Sequence, residues 1–546
     1  MSSLGTGHAP RSTGVALPHN APDLVLAGGE VADGEHPTIR RADVAITGDR
    51  IATVAPGLDG RAARAIDVSG HVVAPGFIDI HTHSDLTLLD HPEAHSKLLQ
   101  GVTTEVIGNC GFSPFPVVPD RRPLHDELMA GAGPSRQALD WTDLTGWAQR
   151  IEQTGVAVNV VPLVGHGALR IAACGVGDGP ATPGELAIMR RHLEHALDQG
   201  AFGLSTGLTY VPSRYGDRAE IAALAALVAR RERLYATHSR GITEHWTAAV
   251  DEAVEIGRRT GARVQFSHLA INDPRRWEQA GTLLARFDEA VADGVDIAFD
   301  VYPYDASASS LTQYLPAWVS AGGTAGLRAR LADPATRGAA ETAVTQGWGG
   351  GVPWDWERVV IAALPGPDGG IAGRSIADLA AGSGRRPAQV VLELCGAFGN
   401  AVQVALFSRS DDDVRAFLRH RLAVVGSDGA TQALAGDGVP HPRSFGTHPR
   451  VLARHVRDLG DLRLGEAVAR MTGRVARRLG LRDRGHLRAG QVADVVVFDP
   501  AEVRDTATFT RPRSAPLGVT HVFVAGRAVL RDGVPTGDRP GRVLGA

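Results

Sequence analysis

Between about residue 77 and residue 427 the chain alternates short apolar runs with amphipathic stretches, and this alternation limits the possible folds more than any other feature. The runs at 77–81, 103–107, 157–164, 202–205, 235–238, 264–268, 296–302 and 423–427 are too short for helices. Their Val, Ile and Phe content predicts buried strands. The intervening segments, such as 183–199 and 242–260, repeat apolar residues at helical spacing. Strands joined by helical crossovers run parallel, so the pattern predicts an α/β fold, a (β/α)8 TIM-like barrel. A doubly wound open sheet would produce a similar alternation.

The spacing also predicts what lies outside the barrel. The gap between the seventh and eighth strands is far too long for one crossover, so residues about 310–415 are expected to form an inserted subdomain over the barrel mouth. Short β-like runs at 23–27, 43–46, 51–55 and 71–74 return in kind at 493–498, 519–524 and 528–531. A small β-sandwich domain is therefore expected from both chain ends, residues 22–75 and 482–546, flanking a barrel over 76–481. Residues 1–21 contain Pro10 and Pro18 and lack a continuous apolar core, and so read as a flexible leader rather than a secretory signal.

Composition removes several function classes. The 56 basic and 60 acidic residues give a net charge of −4 with no basic block, which argues against nucleic-acid binding. No run of about 18 apolar residues occurs, so no membrane span is expected. Three cysteines in 546 residues argue against a disulfide framework and for a reducing, cytoplasmic setting. Lys97 is the sole lysine, which rules out a Walker-type lysine and leaves only one position for a Schiff base. Nothing in the sequence reports the oligomeric state.

Each conspicuous ligand-type residue falls where a predicted strand ends. His81 and His83 follow the first strand, Cys110 the second, His238 the fifth, His268 the sixth and Asp428 the eighth. Residues two apart on an extended segment face the same side, so both imidazoles of His81-Thr82-His83 can reach one point. Any one such residue is as often a core side chain as a ligand. Six converging on the C-terminal mouth of a barrel, where barrel enzymes build their sites, read as a metal centre.

The segment APGFIDIHTH at residues 74–83 resembles the opening motif of the amidohydrolase superfamily. GVTTEVIGNCGFSPFPV at 101–117, GAFGLSTGLTYVPS at 200–213, DVYPYDAS at 300–307 and HPRSFGT at 441–447 are similar to its D-aminoacylase (N-acyl-D-amino-acid deacylase) branch. So are DRGHLRAGQVADVVVFDP at 483–500 and VAGRAV at 524–529. The resemblance implies a Zn2+-dependent hydrolase that cleaves the amide of N-acyl-D-amino acids. Many superfamily members bridge two metals with a carboxylated lysine at the end of strand four, where this chain has Gly203-Leu204-Ser205-Thr206-Gly207 and no lysine. The resemblance gives that place to Cys110, with His238 and His268 completing one tight zinc position. His81, His83 and Asp428 then border a second, weaker one.

In that reading Asp428 is the general base, and Arg443, with a hydroxyl from Tyr302 or Tyr304, holds the substrate's carboxylate. The two tyrosines alternate, so only one is expected to face the site. Leu311, Tyr314, Leu315 and Trp318 are candidate pocket walls, and Cys174 and Cys395 are expected in the core. Many relatives carry a lysine two residues after the strand-six histidine where this chain has Ala270; Arg240, Arg275 or Arg276 are candidates to compensate. Two other readings remain: a cyclic-amide hydrolase of the hydantoin or dihydropyrimidine type, and a non-catalytic scaffold. The first generally needs the bridging lysine, and the second predicts lost ligands.

Overall fold

Eight short strands, buried along nearly their whole length, follow one another around a barrel in the computed structural model, which describes residues 21–58, 62–241, 246–349, 351–366 and 370–545. Apart from Ala21, the expected leader lies outside the described residues. The strands are Phe77–Asp79, Val102–Ile107, Asn159–Pro162, Gly203–Gly207, Leu234–His238, Arg263–Phe266, Ile297–Val301 and Ala423–Val425. Neighbours pair in parallel throughout, the third reaching the fourth through Val164–Gly165. The ring closes where Thr82 bridges Gly429 in parallel, with Asp428 N donating to His81 O at 2.8 Å and His83 N to Gly429 O at 2.9 Å. Closure thus brings the first and eighth strand ends together, and with them three ligand-type side chains.

Period-two alternation divides the strand side chains between two environments. Ile78, Val106, Val161, Leu163, Ala236 and Val424 belong to one cluster, which Leu479 and Leu544 join. Ile107, Leu204, Val264, Phe266, Phe299 and Val425 pack in the larger cluster with the helices. Lys97 is fully buried and donates to Asp79 Oδ2 at 2.9 Å and Ser427 Oγ at 3.0 Å, with Glu105 at 3.7 Å. Its ammonium is an ion-pair partner that ties the first strand to the eighth.

The chain ends meet in two sheets. Leu24–Ala27, Asp43–Thr47, Arg50–Ala55 and Ala65–Asp67 form one of them. In the other, Val72–Pro75 pairs antiparallel with Val495–Phe498, which pairs in turn with Val519–Val524. Leu26, Val44, Ile46, Val73, Val495, Val497 and Phe523 form the core between them. Between strands seven and eight a three-stranded antiparallel sheet, with Gln403–Leu406 between Ser307–Ser310 and Val359–Ala363, carries a core of its own around Leu327, Val344, Ile361 and Val391. This extra layer runs from Ser307 to Leu406, a narrower span than the expected 310–415. The reason is the helix Asp411–Arg419, whose Val414, Phe417 and Leu418 are buried in the barrel cluster. No helix among the described residues is long and apolar enough to cross a membrane.

Candidate metal centre and active site

Cys110 sits in a turn that leans from the second strand onto the end of the fourth. Gly111 N donates to Ser205 Oγ at 2.9 Å, and Ser205 Oγ donates in turn to Gly108 O. Gly207 allows the approach, since a Cβ there would lie 1.8 Å from Cys110 O. The thiol is thereby held at the fourth strand's end, where the sequence has no lysine.

Three of the ligand-type residues have left-handed backbones despite carrying side chains: Cys110 (φ +53°), His268 (+38°) and Asp428 (+52°). Such conformations cost about 1–3 kcal/mol each and persist only where the surroundings impose them. Here Asp300 Oδ1 accepts from His268 N at 2.8 Å, and His81 O accepts from Asp428 N. The strain turns these side chains inward just beyond their strands.

The six donors fall into two adjoining triads. Cys110 Sγ lies 3.7 Å from His238 Nδ1 and 3.5 Å from His268 Nε2, and the two nitrogens are 2.9 Å apart. Asp428 Oδ1 lies 3.3 Å from His81 Nε2 and 3.0 Å from His83 Nε2. Cys110 Sγ joins the triads, 3.3 Å from His81 Nε2. One ligand atom each from His81, Cys110, His268 and Asp428 falls within 4.8 Å of the others. A tetrahedral zinc with Zn–S about 2.3 Å and Zn–N about 2.0–2.1 Å has S···N edges of about 3.5 Å. The Cys110–His238–His268 triad fits those edges, with only its imidazole–imidazole side short.

Electrostatics favour the same occupant. Burial alone would raise the Cys110 pKa, but His81, His238 and His268 outweigh it and hold the thiol well below its usual range. Burial likewise opposes ionisation of Asp428, yet Arg443, then His268 and His81, keep its carboxyl well below the ordinary value. Burial disfavours a charged His83, but its hydrogen bonds to Asp428 and Cys110 lift it to about 9. Two anions facing the protonated imidazoles of His81 and His83 form a charge pattern in which a dication can displace the imidazole protons. Burial lowers the pKa of His238, which favours its neutral, ligating form.

Partners behind the donors fix their orientation. Thr209 Oγ1 lies 2.7 Å from His238 Nε2, and Asp300 Oδ1 lies 3.2 Å from His81 Nδ1. Asp300 also accepts from Gln265 Nε2 at 3.1 Å. Asp300 is not among the residues to which the sequence assigns a role, although it opens the segment DVYPYDAS and is an acid inside the otherwise apolar strand IAFDV. Replacing Asp300 with Ala orphans three donors, and zinc affinity is expected to fall by about 10–100-fold. Competition against a chromogenic chelator measures this.

A cavity of about 670 Å³ opens above the donors, lined by His238, His268 and Asp428 below and by Tyr302, Tyr314, Leu315, Trp348 and Arg409 at its sides. Of the two candidate tyrosines, Tyr302 lines it. Tyr304 instead packs against Arg450, 4.8 Å from its ring, and His441 at 5.2 Å, outside the lining. Arg443 reaches Asp428 Oδ2 at 2.8 Å and Ala308 O at 3.0 Å, and also lies 4.8 Å over the Tyr302 ring. Arg240 lines the cavity, but its Nε donates to both carboxylate oxygens of Glu252, at 2.9 and 3.0 Å. Arg275 and Arg276 are exposed outside it, and Ala270 is buried away from the lining. Tyr314 and Leu315 are walls; Leu311 is buried in the inserted layer and Trp318 is 43% exposed. Cys395 is fully buried in that layer and Cys174 packs at the edge of the barrel cluster.

A closed parallel barrel with histidine, cysteine and aspartate donors gathered at its C-terminal mouth defines the class of metal-dependent barrel hydrolases. The amidohydrolase family model matches residues 64–530, and the chain belongs to that family. It is 38% identical to an N-acyl-D-glutamate deacylase of Alcaligenes xylosoxydans xylosoxydans over 96% of both chains. It is 37% identical to a D-aminoacylase of the same organism, over 96% of this chain and 97% of the relative. Among solved structures it is similar to the N-acyl-D-glutamate deacylase of Bordetella bronchiseptica, complexed with zinc and a phosphonate inhibitor that mimics the tetrahedral intermediate. That match has 34% identity and a TM-score of 0.81, covering 96% of this chain and 100% of that one.

Proposed function

We propose that this chain is a zinc-dependent N-acyl-D-amino-acid deacylase that hydrolyses the amide to a carboxylate and a free D-amino acid. The observation that carries the reading is the Cys110–His238–His268 triad, set at zinc-ligand spacing beside Asp428 on the floor of a cavity. The names of the relatives support the substrate class and the D configuration. Cys110, His238 and His268 would hold the tight metal, and His81, His83 and Asp428 would border a second, weaker position. Zinc, when bound there, supplies a Lewis acid that polarises the scissile carbonyl and acidifies water. Asp428 is the general base: Arg443 pairs with its Oδ2, and Oδ1, which faces His81 and His83 beside the proposed metal positions, is the oxygen assigned the proton. The same oxygen returns the proton to the departing nitrogen. Tyr302 and Arg443 orient the carboxylate end of the substrate. Three unpaired cysteines, one a proposed ligand, favour a reducing cytoplasmic setting.

A cyclic-amide hydrolase fits less well, because the Cys110 turn fills the place of a bridging lysine. A scaffold role is disfavoured by the full donor set. The zinc-loaded protein should turn over N-acetyl-D-amino acids, but neither the N-acetyl-L forms nor hydantoins. Turnover of hydantoins alone, or of nothing at full zinc occupancy, would refute the proposal.

A further inference from the structure

We propose that Arg409 supplies a second guanidinium, beside Arg443, to the free carboxylate of the substrate, and that it makes this carboxylate a requirement for binding. The proposal rests on the deacylase reading above and adds a specificity residue to it. It starts from an accounting of the cations around the cavity. Arg240 is neutralised by Glu252, and Arg443 shares its charge with Asp428. Arg214 reaches Ser320 Oγ at 3.3 Å and Leu315 O at 3.5 Å. Arg409 differs from all three. It is 5% exposed, its side chain makes no ion pair or hydrogen bond among the described residues, and its Nε and Nη1 are buried without an acceptor. The three aspartates that follow it in sequence do not reach it. Asp411 pairs with Arg454, Asp412 with Arg415, and Asp413 accepts from Glu278 N.

The guanidinium carbon lies 4.2 Å over the Tyr302 ring, and Tyr302 Oη is likewise buried without a partner. Arg409 and Tyr302 both line the cavity, and between them they carry a guanidinium and a phenol whose buried polar atoms lack hydrogen-bond partners. Leaving a buried cation and its donors uncompensated is strongly unfavourable, so the arrangement calls for an anion with several acceptor lone pairs. A planar carboxylate matches a guanidinium edge in shape and charge. Burial outweighs the attraction of Asp428 and depresses the Arg409 pKa from its ordinary value, as expected for a cation that has lost water without forming an ion pair. The backbone fixes its position: Arg409 N donates to Asp305 O at 3.1 Å, just past the strand Gln403–Leu406. Leu208, Leu315, Pro316 and Trp348 also line the cavity and supply apolar surface for the uncharged part of the substrate.

The test compares N-acetyl-D-leucine with its primary amide, which lacks the negative charge. Arg409→Met should shrink the preference of the zinc enzyme for the acid over the amide, in kcat/KM, by roughly 10²-fold, with Arg409→Lys intermediate. Equal thermal stability and zinc content in the variants exclude misfolding. The same comparison by calorimetric binding, using the product D-leucine against D-leucinamide in the zinc-loaded protein with Asp428 left in place as the counter-ion of Arg443, separates the two proposals. Carboxylate-dependent binding that is lost with Arg409→Met supports the Arg409 assignment even if the wild type turns over neither compound, a result that would refute only the deacylase reading. An acid preference unchanged by Arg409→Met, or binding that ignores the carboxylate in the parent, overturns the assignment.

Discussion

Replacing Asp428 with asparagine is expected to lower kcat by about 10²–10⁴-fold, the usual worth of a positioned general base. Asparagine keeps the shape and can still accept hydrogen bonds from His81 or His83, so the zinc triad of Cys110, His238 and His268 should stay loaded. What it cannot do is take a proton from the attacking water. The substitution also strips Arg443 of its counter-ion in a site where the two side chains are only 6% and 8% exposed. Losing one member of a buried pair costs about 3–5 kcal/mol, so a fall in melting temperature should accompany the loss of rate. Steady-state kinetics, zinc analysis and a thermal melt on one preparation separate the effects. A variant that retains near-normal kcat would remove Asp428 from the mechanism.

Replacing Cys110 with alanine should have a comparable effect through a different cause. Structural zinc sites with four ligands are worth about 10–16 kcal/mol, or roughly 2.5–4 kcal/mol for each ligand. Loss of the thiolate should therefore weaken the tight metal by about 10²–10³-fold, and activity at limiting zinc should fall with it. The side chain removed is small and its backbone is held by the Ser205 and Gly207 contacts, so the zinc-free protein should keep its melting temperature to within a few degrees. The zinc-loaded variant should lose most of the stabilisation that zinc gives the wild type. Titration with zinc, read by chelator competition and by melting temperature, checks both expectations.

Much of this site was legible because its chemistry lies at strand ends. Short apolar runs mark the barrel strands, and the observed strands overlap every expected run, differing by a few residues at their ends. The six donors follow those runs in sequence, so barrel closure alone places them at one mouth. The division into two triads was not legible from spacing, because it depends on left-handed backbones at Cys110, His268 and Asp428 that no periodicity announces. The role of Asp300 depends on His81, 219 positions away, so no local pattern in the sequence reports it. Arg409 sits in the polar stretch Ser408-Arg409-Ser410-Asp411, which reads as a solvated helix start. Its burial arises only when the layer from Ser307 to Leu406 folds over the mouth. The choice between Tyr302 and Tyr304 was open in the sequence. Packing of Tyr304 against Arg450 and His441 leaves Tyr302 to face the cavity.

The most direct test of a thiolate–imidazole zinc centre is X-ray absorption at the zinc edge on wild-type protein carrying one equivalent of metal. Cys110, His238 and His268 as ligands predict a single sulfur scatterer at about 2.3 Å together with nitrogen or oxygen at about 2.0–2.1 Å. A first shell of nitrogen and oxygen alone, with no sulfur, would contradict it.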